Sequence, residues 1–220
     1  MNSSFIKQKK FPSSGELLAS VFLAGSAICL ALFMSGIPIG TRSPKGSESE
    51  RVDIAPNFLI RRESLLLGSE SASVKLVVFG DYECPPCRAE WPHVAELYAK
   101  NPNRIAVYFR HFPLRQIHPL ALSAALLVEA AKKKGAFLAI HEQLYASPLT
   151  QTGMRRIGVS HQIQGLTNDE RFEYMKEVVA DLNAAERLGL TGTPTMFLVE
   201  QGAVFRVSST KNVSEVLFNK

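Results

Sequence analysis

Cys84 and Cys87 stand three residues apart in the run Val-Lys-Leu-Val-Val-Phe-Gly-Asp-Tyr-Glu-Cys-Pro-Pro-Cys-Arg-Ala-Glu-Trp, residues 74–91. Two thiols at that spacing can form and break a disulfide with each other. As a purely structural link they would close a very small loop and add little entropic stabilisation, so the spacing points to reversible redox chemistry. The surrounding residues say where the pair sits. Val74 to Phe79 alternates and is rich in β-branched residues, the pattern of a strand, and it stops at Gly80 and Asp81. Helical periodicity follows from Pro85 to about Ala99. Cys84 therefore falls at a helix N-cap, where unpaired N–H groups and the positive end of the helix dipole favour thiolate over thiol. Cys87 lies on the same side of the first turn.

The intervening prolines moderate that activation. An N-cap acceptor takes its bond from the second or third helical N–H, and Pro86 at the second position has none to give. The Cys87 N–H remains as donor. Pro85 supplies a helix-compatible φ, and neither proline brings a cation, so the dithiol is expected to be only moderately oxidising.

The chain of 220 residues is 46% hydrophobic and 20% charged, which suits one globular domain with an appendage and excludes wholesale disorder. Its net charge of +5 is spread among acids apart from Lys7, Lys9 and Lys10, so nucleic acid is not an expected partner. Residues 17–41 carry no charge and are long enough to cross the hydrocarbon core as a helix. The preceding lysines place residues 1–16 in the cytoplasm and the domain outside the cytoplasmic membrane, periplasmic or extracellular. A cleaved signal peptide is the rival, with Gly25 to Ala27 as a small-residue site, but the apolar run continues past it. Cys29 lies inside that run after bulky Ile28, where a lipoprotein signal requires a small residue, and reads as a membrane-facing hydrophobe. Residues 42–57 are rich in Ser, Gly, Pro, Glu and Arg and read as a tether. The folded domain is expected over 58–220.

Beyond the first helix a second strand is expected at Ile105 to Phe109. An Ala/Leu-rich helix then opens at Pro119 and ends in Lys132, Lys133, Lys134 and Gly135. Further helices are read at Ala136 to Ser147, Thr152 to Gln164, and Thr167 to about Leu188. The last of these is capped by Thr167 with Glu170. Strands resume at Thr195 to Val199 and Ala203 to Val207, and a short helix near Asn212 and Glu215 closes an α/β pattern. The five histidines offer no second close-spaced ligand pair, so no metal is expected. Trp91 and Tyr98 share a helix face with Cys87 and read as packing residues. Asp81 and Glu83 read as exposed strand-end acids, outside the catalytic set. His118 reads as a capping or packing residue at a helix start.

Cys84-Pro-Pro-Cys87 after a strand, Pro92 beyond it, and Gly192-Thr-Pro-Thr195 before a late strand resemble the thioredoxin superfamily. His111-Phe-Pro-Leu, His118-Pro119, Glu129-Ala-Ala, Gly135-Ala-Phe and His141 narrow the resemblance to DsbA-like thiol:disulfide oxidoreductases, over about residues 65–208. The resemblance implies a thioredoxin fold, α/β, with an inserted helical subdomain at about 118–190, preceded here by the N-terminal transmembrane helix. It implies Cys84 as nucleophile, Cys87 as resolving thiol, and Thr193 with a cis Pro194 as the substrate-binding loop beside the redox-active disulfide. It also implies exported protein thiols or disulfides as partners, a membrane redox partner such as a quinone-linked oxidase, and no cofactor. A monomer is expected, and the lack of an added N-terminal dimerisation domain speaks against an isomerase. Oxidase is the leading reading. An exported reductase or isomerase, or a thioredoxin-fold binding module, are the alternatives. One departure stands out: the superfamily often carries a buried acid six residues before the first cysteine, and here that position is Val78.

Overall fold

The structure is a computed structural model and describes residues 49–163 and 165–218. The apolar segment at 17–41 and Cys29 lie outside the described residues, among which no helix is long and apolar enough to cross a membrane. Six strands form one mixed sheet: β1 (Glu50–Val52), β2 (Leu65–Leu67), β3 (Val74–Gly80), β4 (Ile105–His111), β5 (Thr195–Glu200) and β6 (Ala203–Val207), in the order β1-β6-β5-β3-β4-β2. Only β3 and β4 run parallel; their register pairs Val74 with Ile105 and Gly80 with His111. The crossover between them is helix α2 (Pro85–Lys100), which carries Cys87 in its first turn and Cys84 as its N-cap. A short helix α1 (Pro56–Leu59) precedes β2. Four helices, α3 (Ala121–Lys133), α4 (Phe137–Ala146), α5 (Gln151–Ser160) and α6 (Asn168–Arg187), separate β4 from β5, and α7 (Thr210–Phe218) follows β6.

The central strand β3 is buried on both faces, and its alternation divides the core. Val74, Leu76 and Val78 face α2, α3 and α4, while Val77 and Phe79 face α1 and the C-terminal end of α6. On the second face Arg110 of β4 is fully buried. Its Nε donates to Asp181 Oδ1 at 2.8 Å, and its Nη1 donates to the Phe58 carbonyl at 3.0 Å. Arg61 Nη1 reaches the same Asp181 oxygen at 2.8 Å, and the His111 N–H donates to the other at 2.8 Å. Asp181 thus ties α6 to β4 and, through the two arginines, to the segment around α1. A buried charge needs that full a partner set.

Several element ends differ from the sequence expectation. Residues 50–52, inside the stretch read as a tether, pair with β6 as an edge strand, and β2 adds to the outside of β4. Both are three residues long, too short to display a period. Helix α3 starts at Ala121 rather than Pro119, because Leu120 takes the cap position and its N–H is held by Glu83 Oε2 at 2.7 Å. The capping box expected at Thr167 and Glu170 is present.

Candidate active site

Cys84 is the N-cap of α2, in extended conformation, with Pro85 and Pro86 in the first turn. Its own carbonyl accepts the Arg88 N–H at 3.1 Å and so starts the helix. Both cysteines are buried and both are free thiols. The loop before β5 faces them: the Thr193–Pro194 peptide bond is cis, and the Thr193 carbonyl accepts from the Cys84 thiol at 3.3 Å. The structure therefore brings the four sequence-selected residues, Cys84, Cys87, Thr193 and Pro194, into one place from two separate stretches of chain.

The two sulfurs divide the protonation between them. A hydrogen bond from the Cys87 thiol is the largest influence on Cys84 and brings its pKa down from 9.0 to about 6. The Thr193 side chain and the Cys87 N–H act more weakly in the same direction. Burial and the charge of Asp81 oppose them. Cys87 moves the other way: serving as donor to Cys84, and buried as well, its thiol is pushed far above the ordinary range. One sulfur is thus an anion at neutral pH and the other a thiol that gives up its proton reluctantly, the polarity that makes Cys84 the attacking atom.

Asp81 corrects the sequence expectation. It is 1% exposed rather than a solvated strand-end acid, because the loop after β4 folds over it. One carboxylate oxygen accepts the Glu83 N–H at 2.7 Å. The other accepts the Leu114 N–H at 2.8 Å and lies 2.8 Å from His118 Nδ1. With Glu83 holding the Leu120 N–H, these two acids fasten the approach to Cys84 onto the 113–120 loop. His118 is thereby a partner of an active-site acid, a role that a helix-start histidine does not advertise.

A cluster of aromatic rings forms the floor beneath Cys87. Trp91 lies 4.0 Å from the His141 ring and 6.0 Å from that of Tyr145, measured between centroids. Tyr82 Oη and His141 Nδ1 are 2.8 Å apart. Burial, reinforced by His111, drives the His141 pKa well down, so its ring stays neutral. The place of Tyr145 in this cluster was invisible to sequence reasoning. No group of three His, Cys, Asp or Glu side chains suited to a metal gathers among the described residues. Beside Pro194 an open groove of about 350 Å³ runs along Thr195, Arg206, Val207 and Ser208 to Glu50 at the sheet edge.

A family model described as thioredoxin matches residues 61–217. Among solved structures, a thioredoxin-like oxidoreductase from Silicibacter pomeroyi is 25% identical, with a TM-score of 0.60 over 76% of this chain and 97% of that one. The thiol-disulfide exchange protein alpha-DsbA2 from Wolbachia pipientis shares the fold at 19% identity, with a TM-score of 0.59 over 74% of this chain and 89% of that one. A sodium/proton antiporter, NhaA 1 of Salinispora arenicola, is 33% identical over 137 residues, 60% of this chain. The matched stretch is 21% of the antiporter, so the chain spans about a fifth of that curated relative, and the likeness concerns a domain-sized segment.

Proposed function

We propose a function from one premise: the chain belongs to the thioredoxin family, with the helical insertion of its DsbA-like members. On that premise it is a protein thiol:disulfide oxidoreductase, exported, tethered to the cytoplasmic membrane by residues 17–41, and acting on exported proteins. The observation that carries the chemistry is the Cys84 sulfur, with a pKa of about 6 beside the protonated Cys87 and next to the cis Thr193–Pro194 loop. The apolar, uncharged character of 17–41 supports the tether.

In the oxidising direction a substrate thiolate attacks Cys84 of the Cys84–Cys87 disulfide. The sulfur–sulfur bond breaks, Cys87 leaves as thiolate and takes a proton, and substrate and Cys84 are joined. A second substrate thiolate attacks the substrate sulfur, which completes the substrate disulfide and expels Cys84 as a thiolate. Because Cys84 is stable as an anion, it is the better leaving group, and this favours net oxidation of substrates. A membrane oxidase would then reoxidise the dithiol. The groove beside Pro194 suits an extended substrate segment lying along the sheet edge.

The test is trapping in the native host with Cys87→Ser. Mixed disulfides between Cys84 and exported proteins are the expected product, lost in the Cys84→Ser, Cys87→Ser double variant. Absence of any adduct, or adducts confined to cytoplasmic proteins, would contradict the proposal.

A further inference from the structure

Asp81 and His118 form a pair at the approach to Cys84 that takes no part in the exchange steps. The Asp81 carbonyl accepts the Cys84 N–H at 3.3 Å, and its carboxylate accepts the N–H of Glu83, the residue before the nucleophile, at 2.7 Å. The Asp81 side chain is fully buried and that of His118 is 15% exposed, so water screens little of the carboxylate's charge. A negative charge held at the helix start opposes a second one on the Cys84 sulfur. Among the described residues His118 is the one ion-pair partner of Asp81, its Nδ1 2.8 Å from the oxygen that also accepts the Leu114 N–H. A carboxylate oxygen only accepts, so Nδ1 carries the ring proton, and Nε2 is the atom at which a second proton binds.

We propose that His118 is the switchable counter-charge of Asp81: a proton on Nε2 makes the ring a cation that offsets the carboxylate, and through Asp81 this sets how readily Cys84 becomes a thiolate. The proposal rests on the oxidoreductase reading and adds to it a positioning residue, one that acts on the nucleophile through another side chain. With a neutral ring, the Asp81 charge acts on Cys84 in full. With a cationic ring, the pair carries no net charge, and the helix start is more favourable to an anion. Histidine ordinarily changes charge between about pH 5 and 8, a range that includes the titration of Cys84 at about 6. Protonation of the ring therefore offsets part of the loss of thiolate as pH falls, and Cys84 remains a good leaving group over a wider range. The other titratable groups around the pair are Glu83, Cys84 and Cys87 at the start of α2, Tyr82 just before it, His111 at the end of β4, Arg115 exposed on the loop itself, and Tyr145 on α4. Glu83 is taken up by the Leu120 N–H and His111 by Glu129. Burial keeps Tyr82 and Tyr145 neutral, and Cys87 stays a thiol.

The rate of iodoacetamide alkylation against pH, in the reduced full chain carrying Cys29→Ser, reads the ionisation of Cys84, because Cys87 stays protonated. His118→Asn keeps a neutral donor for Asp81 and removes the cation. Its alkylation midpoint should rise by about half a pH unit, which makes alkylation roughly threefold slower than in the parent at about pH 5. His118→Lys supplies a permanent cation, and its midpoint should fall below that of the parent. Opposite shifts in the neutral and cationic variants report charge, whereas a loosened 113–120 loop would move both the same way. In an Asp81→Asn background most of both shifts should vanish, since the anion through which His118 acts is gone. Midpoints unchanged in both variants, shifts in the same direction, or shifts that persist at full size without the Asp81 carboxylate would overturn the proposal. Alkylation requires no disulfide exchange. A parent chain that glutathione disulfide fails to oxidise would therefore overturn the oxidoreductase reading, and the opposite shifts of the two His118 variants would be read independently of it.

Discussion

Replacing Cys87 with alanine should raise the pKa of Cys84 and make it a poorer nucleophile at neutral pH, although the substitution leaves Cys84 untouched. The Cys87 thiol is the largest of the influences that bring Cys84 from 9.0 to about 6. A hydrogen bond to a charged group is worth about 1.5–3 kcal/mol, and one pKa unit corresponds to about 1.36 kcal/mol. Losing that donor should therefore lift Cys84 by about one to two units, to between about 7 and 8. It does not return to 9.0, since the Cys87 N–H and Thr193 remain. At pH 7 the ionised fraction falls from about nine-tenths to between about one-half and one-tenth. Cys87→Ser, which keeps a donor, should show a smaller rise. The assay is the rate of iodoacetamide alkylation against pH in a Cys29→Ser background, with thiolate absorbance as a second readout. If Cys87→Ala titrates at the same pH as the parent, the Cys87 hydrogen bond is not what ionises Cys84, and the reasoning fails.

Other outcomes follow from neighbouring contacts. The Asp81 charge raises the Cys84 pKa, so Asp81→Asn should move the alkylation midpoint below the parent value; a midpoint moved upward would show that the carboxylate helps the thiolate. Asp181→Asn removes the anion shared by Arg61 and Arg110 and should cost about 3–5 kcal/mol in urea unfolding, where a loss under about 1 kcal/mol would mean the buried cations find other partners. Gly80→Ala would set a Cβ 2.5 Å from Phe109 Cε2 and 3.1 Å from Tyr145 Oη. It should destabilise the fold by about 1–3 kcal/mol and perturb Trp91 fluorescence, and an unchanged melting temperature would contradict that packing.

The parts of the site visible in the sequence were those governed by local rules. Cys84 at a helix N-cap follows from a strand that stops at Gly80 and a helix that begins at Pro85, and both boundaries depend on neighbours in the chain. Thr193 and Pro194 carry no local signal for a position beside the cysteines; the resemblance supplied it, and the antiparallel pairing of β5 with β3 realises it. Asp81 was misjudged because its burial comes from Leu114 and His118, more than thirty residues away. Tyr145 was missed for the same reason, since periodicity reports which face of a helix is apolar but not what it meets. The strands β1 and β2 went unread because three residues cannot show alternation, and long-range pairing alone defines them.

The most direct measurement is the reduction potential of the Cys84–Cys87 pair as a function of pH, from equilibria with glutathione followed by Trp91 fluorescence. Below the Cys84 pKa, reduction takes up two protons and the potential should fall by about 59 mV per pH unit; above it, one proton, about 30 mV. Linkage gives the same sign: the depressed pKa stabilises the reduced form fully above the unstructured thiol's value, and that stabilisation is lost as pH falls through about 6. The account predicts a reversible disulfide with a change of slope near pH 6. A pair that no glutathione ratio oxidises, or a single slope of about 59 mV per unit from pH 5 to 8, would contradict it.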